Sequence, residues 1–270
     1  MGSLSRWYAR NGRDELPWRA TRDRWAVLVS EVMLQQTQVG RVADAWPAFM
    51  RAFPTPERAA AAGPAALITA WDRLGYPRRA RRLWEAADTI ARDGWPADLT
   101  ALPGVGRYTA AAVAAQVDDA DEIGIEVNIR RVCERTAGRR LTDVAAVAHA
   151  RALTGRLRGR ARLLALMDLG ATVCTARAPQ CAACPVSSVC ETRGVLPDET
   201  RHRQAPFSGS FRQRRGVVMA RLRTGTAPAD ELDADALASL VRDGLAEISR
   251  GRARLPRARE SSPGGRGPNR

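Results

Sequence analysis

The stretch LPGVGRYTAAAVAA at residues 102–115 predicts a short turn that opens a helix. Gly104 and Gly106 can adopt backbone conformations that expose amide N–H groups, and the N-terminus of the helix after them adds its dipole. Together these features predict a phosphate-binding site. A lone Gly-x-Gly pair would be weak support, because ordinary turns between helices use the same residues.

Apolar spacing predicts helices on both sides of this turn. Residues 24–195 repeat apolar positions three and four apart, and prolines separate the segments. No convincing strand alternation precedes residue 216, where GVVMARLR begins a segment consistent with a small winged-helix-like unit. We therefore expect an all-α fold followed by a small C-terminal unit.

The composition indicates a polyanionic partner. The net charge is +14, so nucleic acid is the expected partner, with a merely solvated basic surface as the alternative. All 43 basic residues are arginine, which excludes reactions through a Schiff base on a lysine side chain. No apolar run approaches the length of a membrane span and no signal peptide is visible, so we expect no membrane partner and a cytoplasmic, reducing location.

Four of the five cysteines lie in CTARAPQCAACPVSSVC at residues 174–190, with the spacing C-x6-C-x2-C-x5-C. In a reducing compartment, clustered cysteines favour metal binding over disulfides. Four thiolates can bind a structural zinc ion or an iron–sulfur cluster, and the single C-x2-C pair with wide flanks favours the cluster. The candidate ligands are Cys174, Cys181, Cys184 and Cys190, whereas Cys133 is interpreted as a buried core thiol.

These motifs resemble one family. The cysteine loop resembles the [4Fe–4S] loop of the endonuclease III and MutY DNA glycosylases, LPGVGRYT matches the helix–hairpin–helix of that superfamily, and VSEVMLQQTQV at residues 29–39 resembles the MutY helix. The resemblance covers about residues 5–195. It implies a two-lobed helical glycosylase fold, a structural [4Fe–4S] cluster, and double-stranded DNA with a mismatched or damaged base as the partner.

The expected domain boundaries follow from this resemblance. A helix–hairpin–helix glycosylase domain would span 1–195, a linker 196–214, a winged-helix-like unit 215–256 and a disordered basic tail 257–270. Longer MutY proteins add a MutT-like domain that reads 8-oxoguanine, and the segment after the linker is too short and too poor in strand patterns for it. We expect a monomer.

The resemblance also implies roles for single residues. Glu31 would be the general acid that protonates adenine, with burial raising its pKa. Gln36 and Tyr76 would enter the base stack of the DNA, and the hairpin would hold its backbone. Tyr108 stands where lyase members carry a catalytic lysine, so a monofunctional glycosylase is expected.

The second carboxylate departs from the family pattern. In IEVNIRRV at residues 125–132, Glu126 occupies the position of an aspartate that stabilises the cationic sugar, and Asn128 matches. One extra methylene moves a carboxylate by about 1.5 Å, and misplacement of that size can cost on the order of a hundredfold in rate. A working variant, a shifted substrate and a much weakened enzyme all remain open.

The base pocket departs as well. Leu163 and Leu164 stand where many members carry Asn-Gln or Asn-Glu, and leucine cannot hydrogen-bond adenine. Either other groups such as Arg19 and Tyr108 read adenine, or the pocket prefers another base. Asp168 is interpreted as structural.

Our first functional hypothesis is a monofunctional MutY-like glycosylase, associated with the nucleoid, that hydrolyses adenine from pairs with 8-oxoguanine or guanine. The alternatives are a glycosylase of the same fold for thymine or uracil paired with guanine or for a modified pyrimidine, and a DNA-binding homologue with weakened or lost catalysis.

Overall fold

The computed structural model describes residues 3–199 and 206–258. Eleven α-helices and three short strands occur in these ranges: α1 Ser3–Asn11, α2 Arg24–Leu34, α3 Val39–Ala52, α4 Pro56–Trp71, α5 Arg78–Asp93, α6 Arg107–Val117, α7 Val127–Thr136, α8 Asp143–Thr154, α9 Gly159–Asp168, α10 Phe211–Arg223, β1 Ala227–Pro228, α11 Ala234–Arg242, β2 Glu247–Ser249 and β3 Arg252–Arg254. The all-α prediction with a small C-terminal unit is confirmed. Within the described ranges, no helix is both long and apolar enough to cross a membrane.

Side chains at the helix starts explain several of these boundaries. Asp23, Thr142, Ser210 and Asp233 each accept a hydrogen bond from a backbone N–H of the first turn of α2, α8, α10 and α11. Such N-cap bonds satisfy amide groups that have no partner inside the helix. The α4 region consists of two helical segments joined at Gly63, whose φ of 80° only glycine adopts readily.

The chain divides into two compact units that are discontinuous in sequence. The first combines residues 1–55 with 95–203, and the second combines 56–94 with 204–270. The domains expected with boundaries at 195 and 215 are continuous in sequence, whereas each of these units combines two separate ranges of the chain. Most of the expected tail, residues 259–270, and part of the expected linker, residues 200–205, lie outside the described residues.

In the first unit, α2 packs against α6, α6 against α9, and α7 against both α8 and α9. Its core includes fully buried side chains from four of these helices: Leu28, Val113, Ile129 and Leu166. Cys133 is buried in this core, and burial raises the pKa of its thiol to about 12, as the interpretation of a core thiol predicts.

The helices expected as far as residue 195 end earlier. A π-helical turn at Leu169–Val173 follows α9, and from there to residue 199, where the described range ends, the first unit has only short 3-10 turns at Cys181–Ala183 and Ser187–Val189. Pro179 and Pro185 interrupt this segment, and proline removes a backbone donor that a continuing helix needs.

In the second unit, α4 packs along α5, and α10 packs against α11. The strands form an antiparallel sheet in the order β1-β3-β2. Asp243 accepts hydrogen bonds from Arg78 of α5 and from Arg215 of α10, so the C-terminal elements are tied to α5.

The segment expected to begin the winged-helix-like unit is helical. GVVMARLR forms the C-terminal part of α10, which begins at Phe211, inside the expected linker. Ser210 caps the helix, and Val218, Met219 and Leu222 are buried at the three- and four-residue spacing of a helix.

Candidate active site and cluster site

Glu31 lies in the last turns of α2, among side chains that are otherwise largely apolar. It is 3% exposed, and its Oε1 accepts a hydrogen bond from Nε2 of Gln116 in α6 at 2.7 Å. Burial raises the pKa of Glu31, hydrogen bonds from Gln116 and Tyr108 lower it, and the charge of Glu126 raises it, with a net rise above the usual carboxyl value. A carboxyl group with a raised pKa suits a general acid.

Glu126 is the N-cap residue of α7. Its Oε1 accepts a hydrogen bond from the backbone N–H of Ile129 at 2.8 Å, and its Oε2 accepts one from Nδ2 of Asn128 at 3.0 Å. Aspartate, asparagine and serine are the usual N-cap residues. Here the longer glutamate side chain makes the same capping hydrogen bond. The first turn of α7 therefore holds the carboxylate close to the helix.

Burial also raises the pKa of Glu126, while hydrogen bonds from Asn128 and Ile129 and the charge of Arg131 oppose the rise. Both side-chain oxygens accept hydrogen bonds, which suits the ionised form. Glu126 is half-buried and keeps both carboxylate oxygens hydrogen-bonded, whereas Glu31 is fully buried, so the two carboxyl groups have different surroundings.

Tyr108 lies beside both carboxylates. Burial first, and then the charges of Glu31 and Glu126, raise the pKa of its phenol well above the usual value, so the hydroxyl keeps its proton. Its ring packs on Gly124, where a Cβ atom would lie only 2.6 Å from Cδ2 of the tyrosine. Glycine at this position is therefore needed for the observed placement of the ring.

A chain of hydrogen bonds connects Glu126 with the cysteine loop. Oδ1 of Asn128 accepts a bond from Nη2 of Arg131 at 2.7 Å, and Arg131 also donates to the carbonyl oxygens of Gly170 at 2.6 Å and Cys174 at 2.7 Å. A Cβ atom at Gly170 would lie 2.7 Å from Cβ of Asn128. The two backbones thus approach too closely for a larger residue.

The hairpin turn leaves backbone amides available at the start of α6. Gly104 has a φ of 81°, which glycine adopts without strain. Gly106 is the N-cap residue, no side chain caps the helix, and no atom lies within 4 Å of the position that a Cβ would take there. This arrangement fits the predicted phosphate contact.

The two residues expected to enter the base stack share an unusual backbone conformation. Gln36 has a φ of 55° and Tyr76 a φ of 47°. Left-handed conformations are rare for residues other than glycine and tend to occur at functional sites. Both side chains are exposed, Gln36 in the first unit and Tyr76 in the second.

Arg19 is bound to a buried carboxylate. Its Nη1 and Nη2 donate to Oδ2 and Oδ1 of Asp168, each at 2.7 Å, and Arg13 donates to the same group. Burial would raise the pKa of Asp168, but hydrogen bonds and charge from Arg19 and Arg13 bring it below the usual value. Arg19 acts on Glu31 through its charge, which lowers the pKa of that carboxyl group.

The cysteine loop encloses a cavity. Cys174, Cys181, Cys184 and Cys190 all line this small cavity, which is partly open to solvent. A single zinc ion needs its four ligands gathered tetrahedrally around one point. A [4Fe–4S] cluster is bound by the same number of cysteine thiolates, so four thiols that line one pocket suit either group.

The comparisons with known proteins agree with this geometry. Residues 29–152 match the HhH-GPD superfamily of base excision DNA repair proteins, and residues 174–190 match the iron–sulfur binding domain of endonuclease III. The chain is 42% identical to the adenine DNA glycosylase of Mycolicibacterium smegmatis, covering 90% of this chain and 91% of the relative. The chain belongs to the adenine DNA glycosylase family.

A second member of this family and a solved structure of another glycosylase are also similar to this chain. The adenine DNA glycosylase of Mycobacterium tuberculosis is 39% identical, with coverage of 86% of this chain and 81% of the relative. The solved structure of a thermostable thymine-DNA glycosylase is similar with a TM-score of 0.65 and 28% identity, over 71% of this chain and 93% of that one.

For this member of the adenine DNA glycosylase family, the prediction of a [4Fe–4S] cluster is confirmed by the match of the cysteine loop, and the four lining thiols fit it. Arg135 contributes to the loop from α7, because its Nη1 donates to Sγ of Cys174 at 3.6 Å and to the carbonyl oxygen of Thr175 at 2.8 Å. The cluster would stabilise the fold of a loop that has little regular structure of its own.

In this adenine DNA glycosylase family member, the first unit contains Glu31, Glu126, Tyr108, Asn128 and the hairpin. Leu163 and Leu164 are buried, as core residues would be.

Two residues that contact the expected functional side chains were not identified from the sequence: Gln116, which donates to Glu31, and Arg79, which lies over the ring of Tyr76. Gln116 is a single glutamine in the apolar stretch AAAVAAQV at residues 110–117, and an isolated polar residue on such a helix was the available signal. Arg79 lies in the run RRARR, where one arginine cannot be told from its neighbours by sequence. Both depend on contacts that form only in the folded chain.

Proposed function

We propose that this protein is a monofunctional DNA glycosylase that hydrolyses the bond between adenine and deoxyribose at mispairs of adenine with 8-oxoguanine or guanine. The observation that carries the proposal is the pairing of a buried Glu31, whose pKa is raised, with an N-capping Glu126 whose charge acts on it. The two carboxyl groups have different surroundings, and an acid and a charge stabiliser need that difference.

The chemistry would proceed in one site of the first unit. The target nucleotide leaves the duplex, because its glycosidic bond is out of reach inside the stack. Glu31 donates a proton to a ring nitrogen of adenine, and the C1′–N9 bond breaks with its electrons moving to the base. The carboxylate of Glu126 stabilises the cationic sugar. Water then adds to C1′ and loses a proton, which leaves an abasic site.

The remaining residues would bind the DNA. The amides at Gly104 and Gly106 would contact a phosphate, and Gln36 and Tyr76 would each enter the base stack. Tyr108 would line the pocket of the base beside Glu31. These roles rest on the resemblance and on the strained or exposed placement of the side chains.

The monofunctional assignment has a direct test. A lyase forms a Schiff base with the sugar and nicks the strand, and this chain has no lysine. We expect alkali-labile abasic DNA, no spontaneous nick and no covalent protein–DNA product after borohydride treatment. Glu31→Gln should bind the same duplex and release no adenine. A borohydride-trapped adduct in the native protein would contradict the assignment.

A second candidate is the excision of thymine or uracil paired with guanine. It is favoured by the similarity to a thymine-DNA glycosylase structure and by Leu163 and Leu164, which provide no amide for adenine. Protonation by Glu31 suits adenine better, because adenine leaves readily only as a cationic base. Parallel assays on duplexes containing 8-oxoguanine·A, G·A, G·T and G·U separate the two candidates.

A further inference from the structure

The segment between α4 and α5 presents Tyr76 in a strained conformation. Asp72, Gly75 and Tyr76 have positive φ values of 33°, 74° and 47°. Tyr76 is nevertheless placed with 46% of its surface exposed. Strain of this kind persists only where the surrounding structure holds the backbone in place.

Arg79 makes several contacts with this segment. Its Nη2 donates to the carbonyl oxygens of Leu74 and Gly75, both at 3.0 Å, and its backbone N–H donates to the carbonyl oxygen of Tyr76 at 2.9 Å. Nε1 of Trp71 donates to Gly75 as well, at 3.0 Å. Three successive carbonyl groups of the strained segment are thus bound from one side.

The guanidinium of Arg79 also lies over two aromatic rings. Its Cζ is 5.3 Å from the ring centroid of Trp71 and 5.5 Å from that of Tyr76. Arg79 is only 9% exposed, and burial lowers its pKa to about 10, so it remains charged at neutral pH. A desolvated cation over a ring gives a stronger attraction than an exposed one.

We propose that Arg79 is a positioning residue for Tyr76. It fixes the segment through the carbonyl groups and supports the tyrosine ring through the cation, while the side chain of Tyr76 stays exposed at the surface. Arg79 acts through Tyr76 and does not itself contact DNA. This inference rests on the proposed role of Tyr76 in entering the base stack.

A double-mutant cycle tests the inference on the full-length holoprotein. The variants are Arg79→Met, Tyr76→Leu and the pair, with Arg82→Met as the control, because Arg82 is an exposed arginine of the same helix. The readouts are the fluorescence of 2-aminopurine placed beside the target adenine, which rises on unstacking, and the single-turnover rate of adenine release.

We expect Arg79→Met to reduce the fluorescence rise and to slow release by about tenfold to a hundredfold, and Arg82→Met to change neither. In the Tyr76→Leu background, Arg79→Met should add little, because a residue that acts through another shows no independent effect once the other is removed. The inference would be overturned if the two substitutions slowed release by independent factors that multiply in the double variant, or if Arg79→Met kept the native rate. If Arg79→Met fails to fold, Arg79→Lys, which keeps the charge without the planar fork, enters the same cycle.

The cycle separates this inference from the proposed function. A native protein that releases adenine while Tyr76→Leu retains the full rate and the full fluorescence rise overturns the role of Arg79 and leaves the activity intact. A native protein that releases no adenine, yet shows a coupled fluorescence change in the cycle, overturns the activity and leaves the positioning role intact.

Discussion

At the residue scale, the behaviour of Glu31 depends on its burial. The raised pKa keeps a proton available above the ordinary carboxyl range, and the group must be protonated to act. We therefore expect single-turnover adenine release to be fastest below the raised pKa of Glu31 and to fall as the pH rises through it. Glu31→Gln should be slower by about a hundredfold or more, with no corresponding pH step. A native rate that increases across this range would contradict the role of Glu31 as the acid.

The same burial has a consequence for stability. The folded protein holds a proton on Glu31 at pH values where the unfolded chain has released it, so the free energy of unfolding falls as the pH rises from the unfolded to the folded pKa. Glu31→Gln removes this dependence, and we expect it to be more stable than the native protein above that interval. Chemical denaturation of the native protein and of Glu31→Gln at several pH values measures the pH dependence and the difference in stability. A lower midpoint for the variant throughout would show that the carboxyl group is not destabilising.

Glu126 gives a residue-scale prediction about side-chain length and charge. Because α7 holds the carboxylate through two hydrogen bonds, Glu126→Asp should keep the cap and release adenine within about tenfold of the native rate. Glu126→Gln keeps the length and loses the charge, so its rate should fall on the order of a hundredfold or more. Equal rates for Glu126→Gln and the native protein would contradict a role for the negative charge of Glu126 in the reaction.

At the scale of elements, α7 connects the active site with the cluster loop. Asn128 and Arg131 form the hydrogen-bonded link, and Gly170 allows the approach of the two backbones. Gly170→Ala should displace Asn128 and so disturb Glu126, lowering adenine release by about tenfold or more while the iron content stays at the native value. The matched control is Gly216→Ala, a glycine of α10 with no atom within 4 Å of the Cβ position. Native activity in Gly170→Ala would contradict a rigid link.

Several elements could be predicted from the sequence for a clear physical reason. The hairpin, the cysteine loop and the Glu31 helix each carry their chemistry within about fifteen residues, so spacing alone displays it. The partners of these groups lie far away along the chain. Gln116 is separated from Glu31 by 85 positions, and Arg13 and Arg19 from Asp168 by 155 and 149. Sequence spacing carries no record of such contacts.

At the scale of the whole molecule, the discontinuous units account for what sequence reasoning did not anticipate. Residues 56–94 and the C-terminal elements form one unit, although about 110 residues of the other unit lie between them. The helix α10, which begins at Phe211, buries Val218, Met219 and Leu222. An exposed linker would not bury such side chains, so the helix depends on packing within the second unit. A boundary drawn from composition cannot show such a union.

The tie between α5 and the C-terminal elements gives a prediction for the second unit. Burial would raise the pKa of Asp243, but Arg78 and Arg215 lower it below the usual value. Its contribution to stability is therefore present above the unfolded pKa of an aspartate and is lost as the pH falls through the folded pKa. Asp243→Asn should lower the free energy of unfolding by about 1 kcal/mol at neutral pH, and the difference from the native protein should disappear in acid. A deficit that persists at low pH would show that the ion pairs are not its cause.

The central claim concerns which base this molecule removes, and single-turnover base release from matched duplexes containing 8-oxoguanine·A, G·A, G·T and G·U tests it most directly. The native protein and Glu126→Asp are assayed side by side, with Glu31→Gln as the inactive control. We predict adenine release from the first two duplexes by both active proteins, and no thymine or uracil release. Release of thymine or uracil alone, or tight binding of all four duplexes without any abasic product, would contradict the claim.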